Sequence, residues 1–307
     1  MRLQVIHETR YEYRPAVETA QHVACLQPRE TPAQRVRTHE LRLDPAPGRI
    51  HTRTDAWGNL RHFFSYQTPH NHLTVVAHST VETQSPARLT TAQAAAGWEQ
   101  VRDHFRYRAG GRWGTAVEMA YASAAAPRHA DFASFAQPDF AAGRPFLEAC
   151  SALCGRIHAE CRYESNSTEV DTPVREALAQ RRGVCQDFAH IFIACLRSLG
   201  LAARYVSGYL LTEPPEGQAR LIGADASHAW ASVYLPFGDD PEAGGAWIDF
   251  DPTNNRHGLF SPGPDYVTVA WGRDYFDVAP LRGMIHGGAD HSLQVAVTVL
   301  PDAPLAL

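Results

Sequence analysis

The sequence predicts an α+β protein in two parts, an amino-terminal all-β domain and a core whose helices precede an antiparallel sheet. Three observations carry this. Residues 1–85 alternate apolar and polar side chains in short runs cut by Pro28, Pro45, Pro47-Gly48 and Gly58-Asn59, the punctuation of strands and turns. Residues 146–159, 173–181 and 185–199 read as helices, their apolar residues recurring at three- and four-residue steps. Strand-like runs follow at 203–211, 227–235 and 246–251, and helices grouped before strands imply α+β rather than alternating parallel units.

Taken in order, the first strands are Gln4–Tyr13, Val36–Leu43, Leu60–Tyr66 and Leu73–Glu82, with Trp57-Gly58-Asn59-Leu60 as a hairpin turn. Around Pro86 the composition becomes alanine-rich, and Gly97–Tyr107 predicts a helix. Residues 86–144 form a connecting segment expected to wrap the core, because Trp113, Phe132, Phe135 and Phe140 favour burial. The core runs from 145 to 307. Its first helix carries Phe146, Leu147, Cys150, Leu153, Cys154 and Ile157 on one stripe, so Cys150 and Cys154 read as small buried hydrophobes. Thr172 and Pro173 predict the N-cap and first position of a short helix through Gln180. Phe188, Phe192, Ile193, Leu196 and Leu199 recur along the next one. Gln294–Leu300 alternates as a carboxy-terminal strand of this core.

Composition narrows the function classes. The chain has 307 residues, 44% apolar and 20% charged, with 28 basic against 33 acidic side chains and a net charge of −5. No basic excess points to nucleic acid. Nothing approaches the roughly 18 consecutive apolar residues of a membrane span, and the amino terminus alternates like a strand where a signal peptide would be continuously apolar. The expectation is a cytoplasmic protein with reduced thiols. Six cysteines in a chain this long do not form a disulfide framework, and the 16 histidines show no metal-ligand spacing, so no metal and no cofactor are expected.

The chemistry gathers at Gly183-Val-Cys-Gln-Asp-Phe-Ala-His190. Gly183 separates two helices and leaves Cys185 in the first turn of the second, where free amide N–H groups favour an anion over a neutral thiol. A helix terminus supplies only about 0.3–1 kcal/mol. A nucleophilic thiolate therefore needs a cation beside it, most often an imidazolium. His228 opens the strand His228-Ala-Trp-Ala-Ser-Val-Tyr-Leu235, and Asp251 closes Trp247-Ile-Asp-Phe-Asp251. If these strands form a hairpin, His228 and Asp251 become cross-strand neighbours, and Cys185, His228 and Asp251 complete a triad. Asp249 is the rival acid, since it shares a strand face with Asp251. Each residue alone has a plainer reading: a structural cysteine, a satisfied histidine, a turn aspartate. The ordered conjunction lifts the catalytic reading level with these.

At these residues the sequence resembles the transglutaminase-like, papain-like superfamily of cysteine enzymes, and in particular the bacterial transglutaminase-like proteins with an amino-terminal β domain. The resembling stretches are Arg182-Gly-Val-Cys-Gln-Asp-Phe-Ala-His190, Gly200-Leu-Ala-Ala-Arg-Tyr-Val-Ser-Gly-Tyr209, Ala226-Ser-His-Ala-Trp230 and Trp247-Ile-Asp-Phe-Asp-Pro-Thr-Asn254. Asp55-Ala-Trp-Gly-Asn59 and the segment from Gly272 to Gly283 are similar to further parts of that family. The resemblance implies a transglutaminase-like core of helices packed on an antiparallel sheet, with the triad on Cys185, His228 and Asp251. It departs from the animal transglutaminases, which have Gln before and Trp after the nucleophile, where this chain has Val184 and Gln186. It also lacks an acidic calcium loop.

The reading is acyl transfer through a Cys185 thioester, most simply hydrolysis of an amide or peptide bond in a peptide or protein substrate. The Cys185 N–H would be one oxyanion donor. Gln186, Asp187 and Trp230 are candidate substrate-binding residues, with helix capping and core packing as their plainer roles. The alternatives are protein-glutamine transglutamination and a non-catalytic binding scaffold. The oligomeric state has no signature in the sequence.

Overall fold

A computed structural model describes residues 1–107, 109, 114–164, 172–212, 227–238, 244–288 and 290–302. Trp113 and Ala226 lie outside the described residues. The amino-terminal strands are β1 (Arg2–Ala24), β2 (Gln34–Asp44), β3 (Ile50–Thr54), β4 (Leu60–Tyr66) and β5 (His70–Thr83). They form one antiparallel sheet in the order β2-β5-β1-β4-β3. The sheet curls, for His39 on β2 and His62 on β4 are not neighbours in it, yet their rings lie 5.7 Å apart. β1 is far longer than the predicted Gln4–Tyr13, because a register shift between Glu12 and Val17 carries the strand past Pro15. β3 escapes the sequence pattern for a plain reason. All five of its side chains are exposed, so it has no buried face to alternate with.

Two late strands, β13 (Leu281–Gly287) and β14 (Asp290–Pro301), complete this sheet by pairing with β1. This corrects the expectation that the carboxy-terminal strand belongs to the 145–307 core. β14 runs antiparallel to the first half of β1, from Leu3↔Pro301 to Arg14↔Asp290, and Val297 and Val299 are buried beside it. Alternation identifies a strand and its inward face; it does not identify the partner.

The core sheet contains β8 (Ala203–Leu210), β9 (Ser227–Pro236), β10 (Gly245–Asp251), β11 (Arg256–Leu259) and β12 (Tyr266–Gly272), in the order β11-β10-β9-β8-β12. The helices are α1 (Thr91–Ala94), α2 (Trp98–His104), α3 (Ala130–Ala136), α4 (Phe146–Glu160), α5 (Val174–Gln180), α6 (Cys185–Ser198) and α7 (Tyr275–Val278). Two short strands, β6 (Arg162–Tyr163) and β7 (Arg182–Gly183), pair in parallel just before α6. Pro173 is itself the N-cap of α5, one residue later than predicted, because its ψ of 129° is extended.

Every residue of α6 from Asp187 to Arg197 is buried. Phe192 stacks on Phe250 of β10 at 5.5 Å, so α6 covers one face of the core sheet. Such a helix is held by tertiary packing more than by its own propensity. At its far end the fully buried Arg197 donates to the carbonyls of Met119, Ala203 and Arg273 and to the Ser123 hydroxyl. That one guanidinium ties residues 119–123 of the connecting segment to the core. Phe132, Phe135 and Phe140 of the same segment are buried, as expected.

The two sheets meet at the edge strand β12. Gln34 accepts from the Thr268 N–H and donates to the Thr268 carbonyl, both at 2.8 Å. Asn59 does the same for Trp271, at 3.0 and 2.8 Å. Two buried side-chain amides thus replace a missing strand and satisfy an edge that would otherwise be open. Asn59 is aimed by Asp55, which accepts from both its backbone and its side-chain N–H groups. The Asp55-Ala-Trp-Gly-Asn59 turn therefore serves the junction as well as the hairpin.

Candidate active site

Cys185 is the first residue of α6, with Val184 as an extended N-cap. Asp187 reaches back to accept from the Val184 N–H at 2.8 Å. Gly183 leaves room for this: a Cβ there would lie 2.6 Å from Asp187 Oδ2. The Gly-Val-Cys-Gln-Asp order is therefore a local device that starts a helix at the cysteine. Asp187, a candidate substrate contact with helix capping as its plainer role, is 3% exposed and takes the capping role. Gln186 is half-buried beside Cys185.

The other five thiols are unlike Cys185. Cys25, Cys150, Cys154, Cys161 and Cys195 are buried, and Cys185 alone is part-exposed. Burial pushes the Cys25 thiol up to about 11 and raises the pKa of the other four buried thiols. These are small core hydrophobes with protonated sulfur. Among the described residues no group of three or more His, Cys, Asp or Glu could hold a metal ion.

His228 lies at the start of β9, hydrogen-bonded to Asp251 and beside Cys185, which helps to hold its charged form. Its Nε2 sits 2.7 Å from Asp251 Oδ2, which leaves Nδ1 for the thiol. Burial alone would lower its pKa, but the hydrogen bond to Asp251 and the neighbouring Cys185 outweigh that and raise it to about 10. The proposed hairpin exists, although its register differs slightly from direct opposition. The last rung of the β9–β10 ladder is Phe250↔Ala231, so His228 and Asp251 meet diagonally across the ladder end and the imidazole spans the gap.

Asp251 has no solvent exposure. Its Oδ2 accepts from His228, from Asn254 Nδ2 and from the Tyr266 hydroxyl, each at 2.7 Å. Oδ1 accepts from the backbone N–H groups of Thr253 and Asn254 at 2.9 and 3.3 Å. Burial would raise its pKa, yet these donors and the charge on His228 hold the carboxyl below the usual carboxylate range. Pro252 has no N–H, so the turn's first two donors come from the residues after it. Sequence reasoning missed both supporting side chains. Asn254 ends the Asp-Pro-Thr-Asn stretch and could have been found from its turn chemistry. Tyr266 arrives from β12 with no local signal.

Asp249, the rival acid, lies on the same face but takes the Trp230 indole N–H at 2.8 Å. Trp230 is a correction. It is 0% exposed and cannot touch a substrate; its ring stands 6.1 Å behind the His228 ring and edge-on to Tyr266 at 5.4 Å. Gly208 makes space for it, since a Cβ there would come within 2.5 Å of the indole and 2.1 Å of the Val267 carbonyl. Trp230 is the packed backing of the histidine.

Comparison with known proteins identifies the family and the fold. Residues 3–82 match the family described as the bacterial transglutaminase-like N-terminal region, and residues 134–252 match the transglutaminase-like superfamily. An uncharacterized protein of Mycobacterium tuberculosis is 40% identical over 98% of this chain and 93% of its own length. An uncharacterized protein of Mycobacterium leprae is 30% identical over 97% and 98%. A solved structure named "Putative Cysteine Protease" from Cytophaga hutchinsonii superposes with a TM-score of 0.70 at 20% identity, covering 99% of this chain and 92% of that one. That likeness establishes a shared fold.

Proposed function

The chain belongs to the transglutaminase-like superfamily, with the bacterial amino-terminal region of that family, and on this premise we propose that it is a cysteine acyl-transfer enzyme that hydrolyses an amide or peptide bond. The observation that carries the reading is the placement of His228 between the only part-exposed thiol and a carboxylate with five hydrogen bonds. Cys185 Sγ attacks the amide carbonyl carbon, and the carbonyl oxygen takes up the negative charge against the Cys185 N–H at the helix start. The C–N bond breaks as His228 delivers a proton to the departing amine, leaving a Cys185 thioester. Water then gives its proton to His228 and attacks the thioester, which releases the acid and returns the proton to the thiol. Asp251 fixes the ring orientation and stabilises the charged imidazole throughout.

Water is the proposed acceptor because Val184 and Gln186 replace the Gln and Trp that flank the nucleophile in cross-linking transglutaminases. With water at about 55 M, an amine at millimolar concentration needs a preference of at least about 10⁴, roughly 5.5 kcal/mol, to prevail. The test supplies a glutaminyl peptide amide with and without a millimolar primary amine, and separates free acid from amine adduct by mass spectrometry. Free acid should dominate in both. A dominant adduct returns the protein to the transglutaminases proper. Absence of both products, with Cys185 still alkylated rapidly by a peptidyl electrophile, rejects this substrate class and keeps the nucleophile.

A further inference from the structure

Four strand residues away from His228, roughly 13 Å along the same face of the core sheet, lies a second built site that the triad does not use. Arg204 on β8 stands opposite Ser232 on β9, which stands opposite Asp249 on β10. The arginine is 6% exposed and its guanidinium lies between two indoles, 4.0 Å from the Trp247 ring and 3.7 Å from that of Trp271. On Trp271 a second arginine, Arg29 of the β domain, stacks at 3.6 Å. With both faces of the Arg204 guanidinium covered, only its edge is left for hydrogen bonds, and its Nε has no partner.

Arg204 lines a cavity of about 280 Å³ whose walls come from both domains. Trp57 belongs to the β domain, and Trp247, Phe260 and Trp271 to the core. Ala56 and Thr115 are exposed at its rim, so the cavity opens to solvent while its cation is buried. Flat apolar walls with one convergent, desolvated charged donor are what a small-molecule site looks like. Arg204 is the only charged residue among the described lining residues, which suits a single negative charge and not a phosphate dianion. The carboxyl of Asp249 favours the charged form of Arg204 from behind, on β10.

We propose that this interdomain cavity binds a small organic carboxylate with a flat apolar body, its carboxylate on Arg204 and its body against Trp57, Met119 and Phe260. Because the walls belong to both domains, an occupant would brace the junction that Gln34 and Asn59 already seal. The amino-terminal domain then has a chemical role of its own, as half of a binding site.

The test is calorimetric titration of the full chain with phenylacetate, with the uncharged phenylacetamide as its near-isostere. Phenylacetate should bind below about 10 mM, and phenylacetamide roughly tenfold or more weakly, as loss of a charge-assisted bond requires. Thr115→Trp, at the exposed rim, should block the mouth and abolish binding while the melting temperature and the Cys185 alkylation rate stay unchanged. Arg204→Gln should weaken phenylacetate by about tenfold or more and leave phenylacetamide unaffected. Equal binding of acid and amide overturns the proposal, as does no binding of either at about 10 mM, or binding that survives Thr115→Trp. If Arg204→Gln fails to fold, the acid–amide pair and the rim variant still decide.

Discussion

Asp249 and Asp251 sit two residues apart on one strand, on one face, at 3% and 0% exposure, and their environments drive them in opposite directions. Burial raises the pKa of Asp249, which has the Trp230 indole on Oδ2 and no hydrogen-bond partner on Oδ1. Burial acts on Asp251 as well, but five donors overturn it and the carboxyl stays ionised. The difference is positional. Asp249 lies within the ladder, where the neighbouring backbone N–H groups are committed to strand pairing. Asp251 lies where β10 ends, and the N–H groups of Thr253 and Asn254 turn back onto it. A carboxylate that must stay charged while buried belongs at a strand end, where the turn can solvate it.

The largest expected effect breaks this comparison most directly. Asp251→Asn should cut turnover of an amide substrate by about 10³–10⁴, by the loss of imidazole orientation and charge stabilisation. Asp249→Asn, which keeps a partner for the Trp230 indole, should stay within about tenfold of the wild type. Steady-state kinetics on both, with circular dichroism to verify folding, decides the matter. A more damaging Asp249→Asn would transfer the orienting role to the wrong end of the strand.

The grouping of Cys185, His228 and Asp251 was legible in sequence because each residue sits at the edge of an element, and edges carry local signals. Gly183 before Cys185 marks a helix start, and Pro252 after Asp251 marks a strand end. What the sequence left open was set by contacts between distant segments. Trp230 read as a substrate contact or as core, and the space opened for it by Gly208 on a neighbouring strand makes it core. One of the five donors that hold Asp251 is a tyrosine 15 residues further on, which no local signal announces. The partner of β14 lies at the other end of the chain, nearly 300 residues away at Leu3↔Pro301, and alternation alone does not reveal it.

A second effect sharpens the contrast through the thiol. His228→Ala should slow alkylation of Cys185 by iodoacetamide by roughly two orders of magnitude, since the base that activates it is gone. In every variant the five buried cysteines should react only after unfolding, as mapped by peptide mass spectrometry. Early labelling of Cys25 or Cys161 would remove Cys185 from its special position.

A smaller effect concerns the support of Asp251. Tyr266→Phe removes one of three donors on Oδ2 and leaves its ring against Trp230. A lost hydrogen bond to a charged acceptor is worth about 1.5–3 kcal/mol, and the two donors that remain on Oδ2 should hold the loss in kcat to about tenfold. The acid limb of the pH–rate profile should move to higher pH, because Asp251 is less well stabilised as an anion. An unshifted limb would mean the tyrosine only packs.

The smallest expected effect is on stability, and it has opposite signs for the two carboxyls. The folded-state pKa of Asp249 is raised above its ordinary 3.8, so between these two values the folded chain holds a proton that the unfolded chain has released. Its contribution is fully present below about 3.8 and is lost as the pH rises through the folded value. Asp251 is the reverse. Its pKa is depressed below 3.8, so its contribution is present above 3.8 and is lost as the pH falls through the folded value. Relative to wild type, Asp249→Asn should therefore gain in melting temperature as the pH rises from about 4 to about 7, by roughly 2–4 °C for each kcal/mol involved. Asp251→Asn should be destabilised across that whole range, and its deficit should shrink only below about pH 3.8. The buried histidines His7 and His190, each held down at about 4 by burial, destabilise the fold as the pH falls from about 6.5, but they are common to all three proteins and cancel in the differences. Melting curves for the three proteins across that range test the whole comparison. Parallel curves would show that the two carboxyls share one environment, and that the strand end confers nothing on Asp251.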